Sequence, residues 1–196
     1  MYRFLPLLLD GAVSALILGT ALCLLKGRMG WSRRRTLSYF AMALYLSLVF
    51  SLVGLPDIRY IRFQPKINLR LFRYFFSDWS TLPNVLLFVP LGVFLTTLWG
   101  RFRTGWRACL FGFWVSMTIE LLQIFTFRAT DVNDLITNTL GTVLGWGLGR
   151  LLLAIVPRTN PSRNTREVYG LCFGTFAFMV LLHPLLADPI FSLVFL

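Results

Sequence analysis

The sequence has few charged side chains for its length of 196 residues. Only 14% of the residues are charged, whereas soluble globular proteins average about a quarter. Hydrophobic residues make up 57%, and the mean hydropathy is +0.71. This composition excludes an ordinary soluble protein and predicts a membrane protein.

Histidine and cysteine are also scarce. The one histidine, His183, lies beside Pro184 with no motif around it, and such a residue is more often a polar side chain at an interface than a catalyst. Cys23, Cys109 and Cys172 do not have the spacing of a disulfide or metal site, so we expect them to be small core residues. The sequence therefore offers no convincing nucleophile or histidine base.

Long apolar runs are abundant. A hydrocarbon core of roughly 30 Å takes about 20 residues to cross as a helix. The first run carries Asp10, and no basic region longer than Arg3 precedes it, so we interpret it as a span rather than a signal peptide. Six runs are predicted to span the membrane: 4–25, 36–55, 82–99, 107–127, 135–156 and 168–187. The predicted fold is an all-α polytopic transmembrane helix bundle of about six helices.

The positions of the basic residues predict the orientation. "KGRMGWSRRR" contains five Lys and Arg residues, "GRFRTGWR" three, and the stretch 150–166 four. These are alternate loops, and basic loops stay in the cytoplasm, so both termini are predicted to be extracytoplasmic. Five of the eight acidic residues then lie on the outer side: Asp57, Asp78, Asp131, Asp134 and Asp188.

The segment 56–81, between the second and third runs, mixes arginines with aromatic residues. This mixture is typical of an amphipathic segment at the headgroup boundary. Alternatively, some of its cations, including Arg70 and Arg73, meet an anionic lipid-linked substrate, since arginine pairs well with phosphate.

An acidic and amide-rich stretch, "IELLQIFTFRATDVNDLITN", begins at Ile119. Glu120 would lie about 10 Å below the outer end of its helix, where an ionised side chain usually faces a bundle interior or a wet cavity. Gln123 shares its face. On the next helix, Asp131, Asp134 and Asn138 occupy an arc of about 60° that descends from the outer mouth.

Asn84, at the start of the third run, belongs to the same leaflet. Ordinary structural roles also fit several of these residues. Asp131 and Asn84 could cap helices, and Gln123 and Asn138 could form hydrogen bonds between helices. Arg128 is the nearest candidate partner for Glu120.

Glycines follow the polar arc on the same helix. Gly141, Gly145 and Gly149 are four residues apart. This spacing predicts a smooth face for close packing against a neighbouring helix, and here the structural interpretation is the stronger one.

Three motifs resemble the VanZ family: "NVLLFVPLG" from Asn84, "IELLQ" from Ile119 and "DVNDLITNTLG" from Asp131. They match the family patterns N-x-x-L-F-x-P-x-G, I-E-x-x-Q and D-x-x-D-L-x-x-N-x-x-G, in that order. The sequence departs from the family pattern in two places. The segment "NLRLF" from Asn68 lacks the proline of the family's N-L-x-P-F. The first span looks like an addition to the shorter family core. The motif residues carried over are Asn84, Pro90, Gly92, Glu120, Gln123, Asp131, Asp134, Asn138 and Gly141.

The resemblance implies a small multi-pass protein of the bacterial cytoplasmic membrane, of a family linked to teicoplanin resistance. We expect one transmembrane domain with an extra N-terminal helix and basic loop in 1–35, a VanZ-like core in 36–156, and a linker with the C-terminal helix in 157–196. The expected partners are membrane lipids together with a cell-wall precursor or lipoglycopeptide, and no nucleic acid. Neither a cofactor nor a metal ligand is assigned.

Three classes of function fit these residues. The first is the binding or handling of an envelope amphiphile. The second is an intramembrane enzyme with Glu120 as base and Asp131 and Asp134 holding a divalent cation against a phosphate-bearing lipid. The third is a structural or assembly protein. The candidate catalytic residues are Glu120, Asp131 and Asp134, and the candidate substrate-binding residues are Asn84, Gln123, Arg128, Asn138, Arg70 and Arg73.

Overall fold

The computed structural model describes residues 4–54, 56, 61, 63, 65–68, 81–126, 130–156 and 160–186. Its α-helices are α1 (Phe4–Met29), α2 (Arg33–Val53), α3 (Thr81–Leu98), α4 (Gly105–Gln123), α5 (Val132–Ile155) and α6 (Arg166–Ala177). A 3-10 turn, Gly100–Arg103, precedes α4, and a π-helical turn, Phe178–Leu182, continues α6. The expected all-α fold is confirmed, and each of the six predicted runs coincides with a helix. The amphipathic segment predicted for 56–81 lies largely outside the described residues.

Local sequence signals explain several helix ends. The Ser32 hydroxyl accepts a hydrogen bond from the backbone N–H of Arg35 and caps α2. Gly54 ends this helix at a φ of 70°, a left-handed conformation that glycine adopts without a steric penalty. Asp131 caps α5 by accepting from the N–H of Asn133, which is one of the roles that the sequence left open for it.

The chain divides into two compact units. One comprises Met1–Ile61 and Tyr169–Leu196 and therefore contains α1, α2 and the C-terminal helix. Within it, the hydroxyl of Ser14 donates to the Met179 sulfur at 3.8 Å. Phe50 packs edge-on against Phe176 at 6.0 Å. Helix α2 thus contributes an apolar face, and α1 a buried polar contact, to this unit.

The other unit, Arg62–Val168, contains α3, α4 and α5. Helices α3 and α5 meet with their backbones in direct contact. A Cβ added to Gly145 would meet the carbonyl of Val89 and approach the Cα of Gly92 to 3.1 Å. A Cβ on Gly141 would overlap the Val85 carbonyl. The predicted glycine face therefore exists, and its partner is α3.

Two short strands complete this unit. The strand β1 (Ile67–Asn68) pairs in parallel with β2 (Thr130–Asp131), with Ile67 opposite Thr130 and Asn68 opposite Asp131. The N–H of Thr130 donates to the carbonyl of Lys66 at 2.9 Å. The pairing joins the segment before α3 to the segment that leads into α5.

Among the residues that the structure describes, two helical segments are long and apolar enough to cross a membrane: Arg33–Val53 and Arg166–Leu186. Leu82–Leu98 is a shorter apolar helix. Many large apolar side chains are exposed, among them Leu16 and Leu24 on α1. Cys23 is exposed beside Leu24, so the expectation that it is a core residue is wrong.

Candidate functional site

The polar residues of the second unit converge where α4 ends and α5 begins. We call this group the carboxylate-amide cluster: Asn68, Asn84, Glu120, Asp131, Asp134 and Asn138.

Glu120 ties the last turns of α4 to the start of α5. Its side chain is only 4% exposed, and its carboxylate accepts a hydrogen bond from the N–H of Asp131 at 2.9 Å. In return, the Thr130 hydroxyl donates to the Glu120 carbonyl at 2.9 Å. A buried carboxylate without a donor would be costly, and a backbone N–H supplies one here. The partner considered from the sequence, Arg128, lies outside the described residues.

Asp131 uses both carboxylate oxygens. One accepts from the N–H of Asn133 at 2.8 Å and from its side-chain amide at 2.9 Å. The other accepts from the Asn68 amide at 2.8 Å. Hydrogen bonds to a charged acceptor contribute about 1.5–3 kcal/mol each, so Asp131 both caps α5 and holds the β1 segment in place.

Asp134 lies one turn further along α5 and faces α3. Its carboxylate accepts from the side-chain amide of Asn84 at 2.7 Å. Asn84 is the fourth residue of α3, so its role here is a contact between helices, not the cap that the sequence left open. The glycine contact brings α3 and α5 close enough for these two short side chains to meet.

Asn138 lies one turn beyond Asp134 on α5. It is 4% exposed, and its amide nitrogen donates to the hydroxyl of Ser116 on α4 at 2.9 Å. Its side-chain oxygen has no hydrogen-bond partner among the described residues. The expected hydrogen bond between helices is present for Asn138, and one acceptor remains available beside Ser116.

The remaining predicted site residues fall into two groups. Gln123 is the last residue of α4 and is 5% exposed, and its backbone carbonyl accepts from Thr126. Arg70, Arg73 and Arg128 lie outside the described residues.

Asn68 and Ser116 belong to the site but were not predicted from the sequence. Asn68 begins the "NLRLF" segment that resembles a family motif, so a signal was present, but nothing in the sequence placed it opposite Asp131. Ser116 lies one turn before Glu120 on α4, which is helical spacing for the same face. That spacing could have identified it as a partner for Asn138.

The cluster is rich in acceptors. Glu120, Asp131 and Asp134 lie near enough for the two aspartates to act electrostatically on Glu120. In the described part of the chain, no group of three or more His, Cys, Asp or Glu residues is arranged to hold a metal ion. The burial of the cluster increases from Asp131 and Asp134, which are half-buried, to Glu120 and Asn138, which are buried. The cluster therefore has a half-buried polar part, at Asp131 and Asp134, and a buried polar part, at Glu120 and Asn138.

Comparison with known proteins gives two matches. The model of the family described as VanZ/LLP1 matches residues 12–153, which include the whole cluster. Protein VanZ of Enterococcus faecium is 35% identical over 85 residues, covering 42% of this chain and 51% of that protein. The chain thus spans about half the length of this curated relative. No solved structure matches the chain.

Proposed function

Because the chain belongs to the VanZ/LLP1 family, we propose that it is a multi-pass bacterial envelope membrane protein whose carboxylate-amide cluster binds an amphiphile's polar head. The amphiphile is a lipid, a lipid-linked cell-wall intermediate or a lipoglycopeptide. In this role the protein contributes to resistance of the teicoplanin type, which is the phenotype linked to the family.

One observation carries the proposal. Residues from three separate family motifs, represented by Asn84, Glu120 and Asp134, meet in a single cluster together with Asn68 and the buried acceptor of Asn138. Helix packing requires only apolar contacts and small residues. The contact between α3 and α5 already has these, so packing does not account for the polar cluster. A graded polar cluster at the end of apolar helices is the arrangement expected for a ligand with a polar head and an apolar body.

The distribution of side chains on α5 supports placement in a membrane. Its buried residues include Gly141, Thr142 and Gly145, which are small or polar. Its exposed residues include Leu151, which is 58% exposed, and Ile155, which is 69% exposed. Small residues inside and large apolar residues outside are typical of helices that pack within lipid. Helix α4 has the same distribution, with Gly112 buried and Trp114 62% exposed. We infer that α4 and α5 also span the bilayer.

The proposed orientation places both termini and the cluster on the extracytoplasmic side. A membrane-impermeant thiol reagent applied to intact cells tests it. In a background without Cys23, Cys109 and Cys172, Phe125→Cys should be labelled and Arg163→Cys should be protected. Both positions are exposed. The reverse pattern would invert the topology.

Resistance in cells tests the function directly. Asp134→Asn keeps an acceptor for Asn84 but removes the charge, so the protein should accumulate normally while the rise in teicoplanin tolerance is lost. Glu167→Gln is the matched control, because Glu167 accepts a hydrogen bond from Ser162 away from the cluster and glutamine keeps that acceptor. Equal tolerance in the wild type and Asp134→Asn would refute the role of the cluster.

Analysis of the purified protein gives a second readout. An amphiphile should copurify with the wild type, and Glu120→Gln should alter its retention. Mass spectrometry of the extracted lipids makes this comparison. Identical lipid content in the two proteins would contradict binding at Glu120.

A structural role is the second candidate, because every described carboxylate of the cluster already bonds to another element. On this alternative, cluster variants lose tolerance only in proportion to their loss of folded protein. Measuring protein level and tolerance together separates the two functions.

A further inference from the structure

A second group of residues lies at the start of α4, where the sequence reads "GRFRTGWR". We call it the arginine-tryptophan cluster: Arg101, Arg103, Trp106, Arg107 and Trp146. Arg101 is exposed, whereas Arg103 and Arg107 are half-buried. Trp106 is 59% exposed, and the guanidinium of Arg107 lies 5.3 Å from the centre of its ring.

The hydrogen-bonding capacity of this group is incompletely used. The Nε atoms of Arg103 and Arg107 are buried, and neither has a hydrogen-bond partner among the described residues. Helix α4 has no acidic residue in its first turn, and Thr104 makes no side-chain cap there. The three arginines therefore present positive charge and N–H donors at a helix start that already favours an anion.

The backbone beneath these side chains is fixed. The indole N–H of Trp146 donates to the Arg103 carbonyl at 3.1 Å, and the Trp146 ring closely approaches Gly105. Phe102, 3% exposed, packs edge-on against Phe111 at 5.2 Å. Packing on both sides of the turn fixes the backbone that carries the arginines, which reduces the backbone entropy that binding would otherwise cost.

We propose that the arginine-tryptophan cluster binds the phosphodiester head of an anionic phospholipid. Guanidinium groups bind phosphate through paired, directional hydrogen bonds. Exposed tryptophan belongs at the headgroup level of a bilayer, and basic sites between helices on the cytoplasmic side bind anionic lipid heads. The proposal rests on the membrane placement of α4 in the proposed function, but it concerns the end of the helix opposite to the carboxylate-amide cluster.

The test is a lipid titration of the purified full-length protein in a nonionic detergent. Phosphatidylglycerol is added, and the bound lipid is counted by native mass spectrometry. Phosphatidylglycerol should bind more tightly than phosphatidylcholine. The double variant Arg103→Gln with Arg107→Gln should bind it about 25-fold more weakly, at about fivefold for each arginine. Arg34→Gln, an exposed arginine outside the cluster, should bind like the wild type.

Three results would overturn the proposal. They are equal binding of the two lipids, unchanged binding by the double glutamine variant, and full displacement of the lipid by inorganic phosphate, which would identify a site for free anions. If the glutamine variant does not fold, replacing both arginines with lysine keeps the charge but removes the Nε donors. Binding by that variant as tight as wild type would also count against the proposal.

This measurement uses no glycopeptide, so its outcome does not depend on the resistance phenotype. If cluster variants kept full teicoplanin tolerance, the proposed function would fail, but the lipid titration would still test the arginine-tryptophan cluster. A chain that remained monomeric in solution without detergent would instead refute the membrane placement on which both proposals depend.

Discussion

Replacing Gly145 with alanine tests the contact between α3 and α5. The new Cβ would overlap the carbonyl of Val89, come within 2.8 Å of its carbonyl carbon and approach the Gly92 Cα to 3.1 Å. These are backbone atoms, which cannot rotate away, so the helices must separate. Overpacking of this kind costs about 1–3 kcal/mol, and we expect the upper part of that range.

Gly147 is the matched control on the same helix. A Cβ at Gly147 meets nothing within 4 Å. Gly147→Ala should therefore stabilise the protein slightly, because alanine is about 1 kcal/mol more favourable than glycine in a helix interior. Both variants gain the same helix propensity. The difference between their free energies of unfolding therefore isolates the packing cost at Gly145, which should be about 2–3 kcal/mol.

The free energy of unfolding can be measured by denaturant titration in mixed micelles, followed by tryptophan fluorescence. Gly145→Ala should unfold at a lower denaturant concentration than the wild type, and Gly147→Ala at the same or a higher one. Equal stability of the two variants would show that α3 and α5 are not in backbone contact.

Two further predictions concern hydrogen bonds of the carboxylate-amide cluster and use the same unfolding assay. A double-mutant cycle of Asn84→Ala and Asp134→Ala should give a coupling energy of about 1.5–3 kcal/mol, the usual range for a hydrogen bond to a charged group. A coupling energy near zero would show that these two side chains do not form the hydrogen bond. Asn68→Asp sets a second carboxylate against Asp131 and removes a donor, so it should destabilise the protein by at least about 1–3 kcal/mol. Ile67→Ala, at a 52% exposed position in the same strand, should have little effect, and equal losses in the two would contradict the Asn68 contact.

The sequence predicted the helices well because apolar runs, glycines and caps are local signals. The Asp131 cap and the spacing of Gly141 and Gly145 could both be identified without knowing which helix lies opposite. The number of membrane spans stays a prediction, since two of the described helical segments meet the length and composition of a span.

The contacts within the cluster could be predicted only in part. The order of the helices was enough to predict that Glu120, Asp131 and Asp134 lie at the same end, because α4 ends where α5 begins. Pairing Asn68 with Asp131 required a parallel contact between two-residue strands 63 residues apart, and such short strands have no periodicity to detect. Tertiary packing decides contacts of this kind.

The contact between α3 and α5 also limits how this half of the protein can move. Rotation or sliding of either helix would drive backbone into backbone at Gly145, so the two helices behave as one rigid pair. Asn84 and Asp134, one on each helix, then keep a constant separation. Among the described elements of this unit, an opening that would admit a molecule to the buried acceptor of Asn138 therefore falls to α4 or β1, which are held by hydrogen bonds that can break and reform.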